Sequence, residues 1–197
     1  MKIYDISQEV FSCEVYSGDP SPKRELLSSI GSGDLYSLTS FSMCAHNGTH
    51  IDAPSHFIGG GKTVEQIDIS CFVGYAFVAE FDGKLTAEGA VEIVKKAKVC
   101  HSDACERILI KGSFDISCEA AKVFIDEGIK LFGTESQTVG PYDAPMELHK
   151  LFLGAEVVLL EGIRLSEVRE GAYFLSAAPL LLGGADGAPC RAVLIEF

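Results

Sequence analysis

Three of the chain's five histidines fall within eleven residues, in the stretch "HNGTHIDAPSHF" that runs from 46 to 57. No helix is expected there: Asn47-Gly48 is a turn dipeptide, Pro54 lacks a backbone donor, and Ala53 before it is pushed away from the α region. His46 and His50 are therefore not a helical ligand pair. A tight turn followed by extended chain is expected instead. In extended chain His50 and Asp52 project to one face, because side chains alternate with period two, and His46 folds back across the turn to meet them. Two neutral imidazoles and a carboxylate make a borderline N/O ligand set that suits Zn²⁺ best and also accommodates Mn²⁺ or Fe²⁺. Three protein ligands leave a position for water, the arrangement of a catalytic site. His56, just past the rigid proline, is the candidate to take or give a proton rather than bind metal. The bland alternative is a polar turn with incidental histidines. Three imidazoles interleaved with Gly, Asp and Pro weigh against it.

Something must hold this loop. Strand-like segments are Ile3–Ile6, Tyr36–Met43, Tyr75–Phe81, Arg107–Ile110, Lys130–Phe132, Glu156–Leu160, Ala172–Ser176 and Ala192–Glu196. Helical patterning covers Thr86–Lys98, with Thr86 able to cap and lysines in the last turn. It covers Ser117–Glu127, followed by Gly128 in a left-handed terminating position. A third helix is expected at Pro145–Leu153, with Asp143 near its start and Gly154 after it. The second half alternates strands and helices, which implies a partly parallel sheet. The strand-rich part before Thr86 reads as antiparallel or barrel-like. The fold class expected is α/β: a single domain over residues 1–197, its mixed and partly barrel-like β-sheet packed by a few helices, swivelling β/β/α-like.

The 197 residues are 47% hydrophobic and 22% charged, ordinary globular usage with ample length for a core. A formal net charge of −12 and the lack of any Lys/Arg run argue against nucleic acid or an anionic membrane surface as partner. No apolar run is long enough to span a bilayer, and "MKIYDISQEV" has no signal-like apolar region. Seven irregularly spaced cysteines favour free thiols, so a cytoplasmic setting is expected. Cys100, His101 and Cys105 lack the short Cys-x-x-Cys knuckle of a structural zinc site. Cys44 reads as a free buried thiol. No dinucleotide or phosphate loop is complete, and Gly183, Gly184 and Gly187 read as a hairpin turn.

The full pattern His-x-Gly-Thr-His-x-Asp-Ala-Pro-x-His-Phe resembles the signature of the cyclase family of metal-dependent hydrolases, which includes bacterial kynurenine formamidase and isatin hydrolase. The resemblance extends to "YDIS", "YSGDP" (16–20), "LFGTES" (131–136), "HKLFLGAEVVLLEGI" (149–163) and "PLLLGGADGAPCRAVLIEF" (179–197). It implies that His46, His50 and Asp52 hold a first metal ion, with Asp52 able to bridge. It implies that His149 and Glu161, twelve apart, are the second block of ligands, and that His56 transfers the proton. One or two ions are implied, Zn²⁺ or Mn²⁺, in a homodimer or homotetramer. The physics of the second block agrees, because a carboxylate ending a parallel strand lies where α/β folds form their crevices.

The reaction expected is hydrolysis of an amide C–N bond by hydroxide generated at the metal, near neutral pH. His56 relays a proton to the leaving nitrogen. The resemblance makes an arylformamide such as N-formylkynurenine the first substrate to consider, and a cyclic amide or lactam the second. A non-catalytic metal- or ligand-binding protein is the rival from another class; it would need no His56. Thr49 reads as a turn-maker or as a hydrogen bond to a ligand. Two departures bear on the substrate. Glu135 stands where the family carries Asp, and the chain has no tryptophan, leaving Tyr16, Phe57 and Tyr142 to supply an aryl wall.

Overall fold

The computed structural model describes residues 1–197. Its strands are β1 (Lys2–Asp5), β2 (Lys23–Ser28), β3 (Leu38–Ser42), β4 (His50–Asp52), β5 (Val73–Glu80), β6 (Gly83–Leu85), β7 (Arg107–Lys111), β8 (Phe114–Ile116), β9 (Leu131–Thr134), β10 (Val158–Glu161), β11 (Gly171–Ser176), β12 (Gly187–Pro189) and β13 (Val193–Glu196). The helices are α1 (Ala87–Cys100), α2 (Cys118–Asp126) and α3 (Met146–Gly154).

One nine-stranded sheet runs β1-β13-β11-β5-β7-β9-β10-β4-β12. Its centre, β5-β7-β9-β10, is parallel, and both flanks are antiparallel. The central strands are near-continuous apolar runs because both faces are covered. Period-two alternation divides them cleanly. Phe77, Ala79, Ile108, Ile110, Phe132 and Leu159 face a core shared with all three helices, including Ala90, Val94, Phe124, Leu148 and Phe152. Ala76, Val78, Leu109, Leu131, Val158 and Leu160 face the opposite way, into a core closed by Ile6 just past β1 and by Ile51, Leu175 and Leu194 from the flanking strands. The sheet therefore curls into a half-barrel, helices outside, and the mixed, partly barrel-like α/β expectation holds.

Differences in detail have local causes. Within the part expected to be antiparallel, β5 pairs in parallel with β7, because α1 supplies the crossover between them. Thr86 caps α1 through Gly89 N, and Gly128 takes φ +76° after α2. Asp143 does not cap α3: Pro145 occupies that position, with no side-chain cap. Gly154 falls inside the helix, and Glu156 at φ +60° takes the left-handed position after it. Gly184 lies in the loop before β12 at φ +77°, whereas Gly187 belongs to the strand itself.

Candidate active site

The site lies at the C-terminal end of β10, where β4 runs antiparallel to it and pairs His50 with Glu161. The turn entering β4 is closed by Gly48 at φ +70°. Thr49 corrects one expectation: its hydroxyl donates to Gly162 O at 2.7 Å and accepts from Gln8 N at 2.9 Å, touching no ligand candidate. It ties the histidine loop to the residue after Glu161. Gly162 itself sits at φ +67°, and a Cβ there would lie 2.1 Å from Gln137 Oε1 and 2.6 Å from Gly48 O. Only glycine allows the two loops to approach this closely.

His46, His50, Asp52, His149 and Glu161 converge from the turn, β4, α3 and β10 in two groups. In the first, Asp52 Oδ1 lies 2.7 Å from His46 Nδ1 and 3.3 Å from His50 Nε2, and Glu161 Oε2 lies 3.5 Å from His50 Nε2. In the second, His149 Nε2 lies 3.5 Å from Asp52 Oδ2 and 3.4 Å from Glu161 Oε1. Each carboxylate faces both groups with a different oxygen. His50, Asp52, His149 and Glu161 are all buried.

Their far sides fix how each ring faces. His50 Nδ1 donates to Gly48 O at 3.0 Å and His149 Nδ1 donates to Pro145 O at 2.9 Å. Each therefore turns Nε2 inward, the second partner that metal-binding imidazoles generally have. Burial disfavours a charge on either ring, but Asp52 and Glu161 outweigh it and raise both pKa values to about 10. Burial likewise opposes ionisation of Asp52, and the facing His149, His46 and His50 rings overcome it, holding the carboxyl well below its usual range. His46 is also raised: desolvation is overcome by Asp52 and by Asp186.

A divalent cation fits this donor set. Asp52 Oδ2 is buried and has no hydrogen-bond partner, an arrangement that costs roughly 1–3 kcal/mol or more for a charged oxygen left alone. Nitrogen–oxygen gaps of 3.3–3.5 Å are long for charge-assisted hydrogen bonds. They equal the spacing of two ligands each about 2.1 Å from one tetrahedral ion.

His56 follows on the short helical turn Pro54–His56, its ring 4.1 Å from that of His46 and 6.2 Å from that of His149. Its Nδ1 lies 3.0 Å from Asp186 Oδ2, an oxygen that also accepts from His46 Nε2 at 3.0 Å. Asp186 was not visible as a site residue in sequence, since "GGADG" carries only turn signals. Gln8 and Gln137, joined at 2.5 Å behind the loop, gave no signal either.

Other candidates fall elsewhere. Glu135 accepts from Gly112 N at 3.0 Å and Leu165 N at 2.8 Å, so it clamps two backbone segments and is not one of the clustered ligand candidates. Tyr16 and Tyr142 stack on each other at 4.6 Å, whereas Phe57 lies beside His56 and His149 at 4.5 and 4.6 Å. His101 stacks on Tyr75 and accepts from Asp103 N, and Cys105 donates to Ser102 O, which is structural use.

The curled α/β half-barrel thus carries a largely buried cluster of three histidines and two carboxylates, the kind of donor set a metal-dependent hydrolase uses. The family profile "Putative cyclase" matches residues 4–141, and the chain belongs to the cyclase family. It is 31% identical to kynurenine formamidase of Bacillus anthracis over 98% of this chain and 97% of that one, and 29% identical to that of Erythrobacter litoralis over 100% and 94%. A solved structure described as a "predicted metal-dependent hydrolase" from Bacillus stearothermophilus superposes with a TM-score of 0.77 at 29% identity, covering 98% of this chain and 97% of that one. Isatin hydrolase A of Labrenzia aggregata shares the fold with a TM-score of 0.81 at 24% identity, over 100% and 94%. The protein is a metal-dependent amidohydrolase. No helix is long and apolar enough to cross a membrane.

Proposed function

We propose that this chain hydrolyses an arylformamide, with N-formylkynurenine as the first substrate to test, and that His46, His50, Asp52, His149 and Glu161 bind the metal while His56 moves the proton. The observation that carries the reading is that Asp52 and Glu161 each face both His50 and His149, with a different oxygen toward each. Such sharing suits two divalent ions, Zn²⁺ or Mn²⁺, held side by side. A bound ion supplies Lewis acidity and lowers the pKa of a coordinated water.

The chain's own residues do the rest. Burial of the cluster excludes bulk water and strengthens each electrostatic contact. Phe57 flanks His56 and His149 and offers an apolar face to an aryl substrate. In this reading the half-buried His56 takes a proton from the attacking water and returns it to the leaving nitrogen. An anilide nitrogen leaves poorly as an anion, so this second transfer matters most for amides. Relatives named kynurenine formamidase at 29–31% identity support the substrate class. We further propose that the protein is cytoplasmic and forms a homodimer or homotetramer, the association being supported by the apolar β2–β3 hairpin that the single chain leaves exposed.

The test is hydrolysis of N-formylkynurenine by protein loaded with Zn²⁺ or Mn²⁺, its metal content verified by elemental analysis. A kcat/KM above about 10⁴ M⁻¹s⁻¹, lost in His50→Ala, is expected. No turnover by fully loaded protein removes this substrate and transfers the reading to lactams and cyclic imides. Turnover of neither class would favour a metal-binding protein without catalysis.

A further inference from the structure

Four histidines carry the proposed chemistry, and each directs one ring nitrogen to an acceptor other than the buried carboxylates. For His50 and His149 that acceptor is a backbone carbonyl within two to four residues. His46 instead uses the carboxylate of Asp186, from the far end of the chain, and His56 uses the same oxygen. Asp186 is absent from the two ligand groups that contain Asp52 and forms with His46 and His56 a separate, more exposed cluster.

We infer that Asp186 is the positioning residue for His56: its Oδ2 accepts from Nδ1 and thereby presents Nε2 as the atom that exchanges the proton. A carboxylate can only accept, so both imidazoles must donate to it. With Nδ1 protonated and tied, neutral His56 has its lone pair on Nε2, which takes the proton from water and passes it to the amide nitrogen. The proton leaves as it came, and Asp186 stays ionised throughout. The shared oxygen also holds the His56 ring against that of His46, with centroids 4.1 Å apart.

The backbone around Asp186 is built to deliver this side chain. Asp186 O accepts from Ala53 N at 2.9 Å and Ala185 O accepts from Val64 N at 3.0 Å, so the loop is anchored without the carboxylate. Gly187 then pairs with Asp52 in β12, and a Cβ there would lie 2.6 Å from His46 Cε1. Removing the carboxylate is therefore expected to leave these backbone anchors in place and to change only what the imidazoles meet. The half-exposed Asp186 side chain contributes nothing else that the structure records.

This inference rests on the hydrolase reading, and its test separates the two. Asp186→Asn is compared with wild type, both loaded with Zn²⁺, on an N-formylanilide and on an activated formate ester whose leaving group needs no proton. The expected result is a fall in kcat of about 10²-fold on the anilide, with KM changed less than about threefold and the ester nearly unaffected. Asp186→Glu is expected to recover at least part of the loss. Long-range ¹H–¹⁵N correlation spectra of the imidazoles at about pH 8, above the ordinary histidine range, give a readout independent of turnover. Wild type should show His56 protonated on Nδ1, and Asp186→Asn should lose that preference.

Equal losses on both substrates, together with Zn²⁺ affinity weakened by 10-fold or more, would mean that Asp186 serves His46 instead and would overturn the inference. An Nε2-protonated His56 in wild type would overturn it too. If wild type hydrolyses neither substrate, the hydrolase reading fails, while the ring-nitrogen spectra still decide the Asp186–His56 contact.

Discussion

Protons and metal ions compete for the same space between Asp52 and Glu161. His50 and His149, with pKa values raised to about 10, carry protons at neutral pH in the metal-free protein. A divalent ion must displace them, so apparent affinity should rise with pH, by up to about tenfold per unit for each proton lost. Calorimetric Zn²⁺ titrations in buffers of different ionisation enthalpy measure that release directly; a pH-independent affinity would contradict the pairing. The same groups set the stability of metal-free protein. Raised histidines contribute fully below their unfolded pKa of about 6.5, and the contribution fades as pH rises toward 10. The depressed Asp52 contributes above about 3.9 and loses its share as pH falls below that value. Metal-free protein should therefore melt progressively lower from pH 7 to 10, and metal-loaded protein should not follow it. His56→Ala separates proton transfer from metal binding: about 10² or more lost from kcat on an amide, far less on an activated ester, and unchanged metal content. Equal loss on both would assign His56 another role.

Glycine geometry decides whether the elements can bring these residues together. Gly162 follows Glu161 at φ +67°, with Gln137 and the Gly48 carbonyl where a Cβ would stand. Gly162→Ala must strain the backbone and push the histidine loop from β10. We expect a loss of at least about 2 kcal/mol in thermal or urea unfolding, with weaker metal binding; a neutral substitution would show that the loops can separate. These contacts mark the limit of what sequence patterns reveal. The apolar runs of β5, β7, β9 and β10 and the periodic α1 and α2 were legible because local hydrophobic spacing reports burial. His46, His50 and Asp52 were legible because they share one loop. Thr49 on Gly162, Asp186 on His56 and Gln137 on Gly48 join positions between 89 and 130 residues apart, and no local pattern encodes such pairs. Strands β4, β6, β8 and β12 are three residues each, too short for periodicity to register. His149 and Glu161 were reached through family resemblance, since a lone helical histidine and a strand-end glutamate look like ordinary surface.

On the scale of the whole molecule, one region is not accounted for by a single chain. The two-stranded β2–β3 sheet is paired to nothing else, and every residue of β3 is exposed. Leu26, Leu27, Ile30, Leu35, Tyr36 and Phe41 are between 53% and 97% exposed. A lone hairpin is marginal in water, and contiguous apolar surface of this kind marks an interface. Beside it opens a groove of about 930 Å³ lined in part by Phe11, Phe41, Met43 and Leu180. A net charge of −12 on every copy opposes self-association at low salt, so apolar burial has to supply the attraction. Leu26→Asp combined with Phe41→Asp should therefore convert a dimer or tetramer into monomer in sedimentation velocity, and wild-type association should strengthen with added salt as the repulsion is screened. The proposed metal ligands all come from one chain, so the monomeric variant should keep its metal by elemental analysis. A wild-type monomer at micromolar concentration would remove the oligomer and leave the exposed hairpin for a different partner.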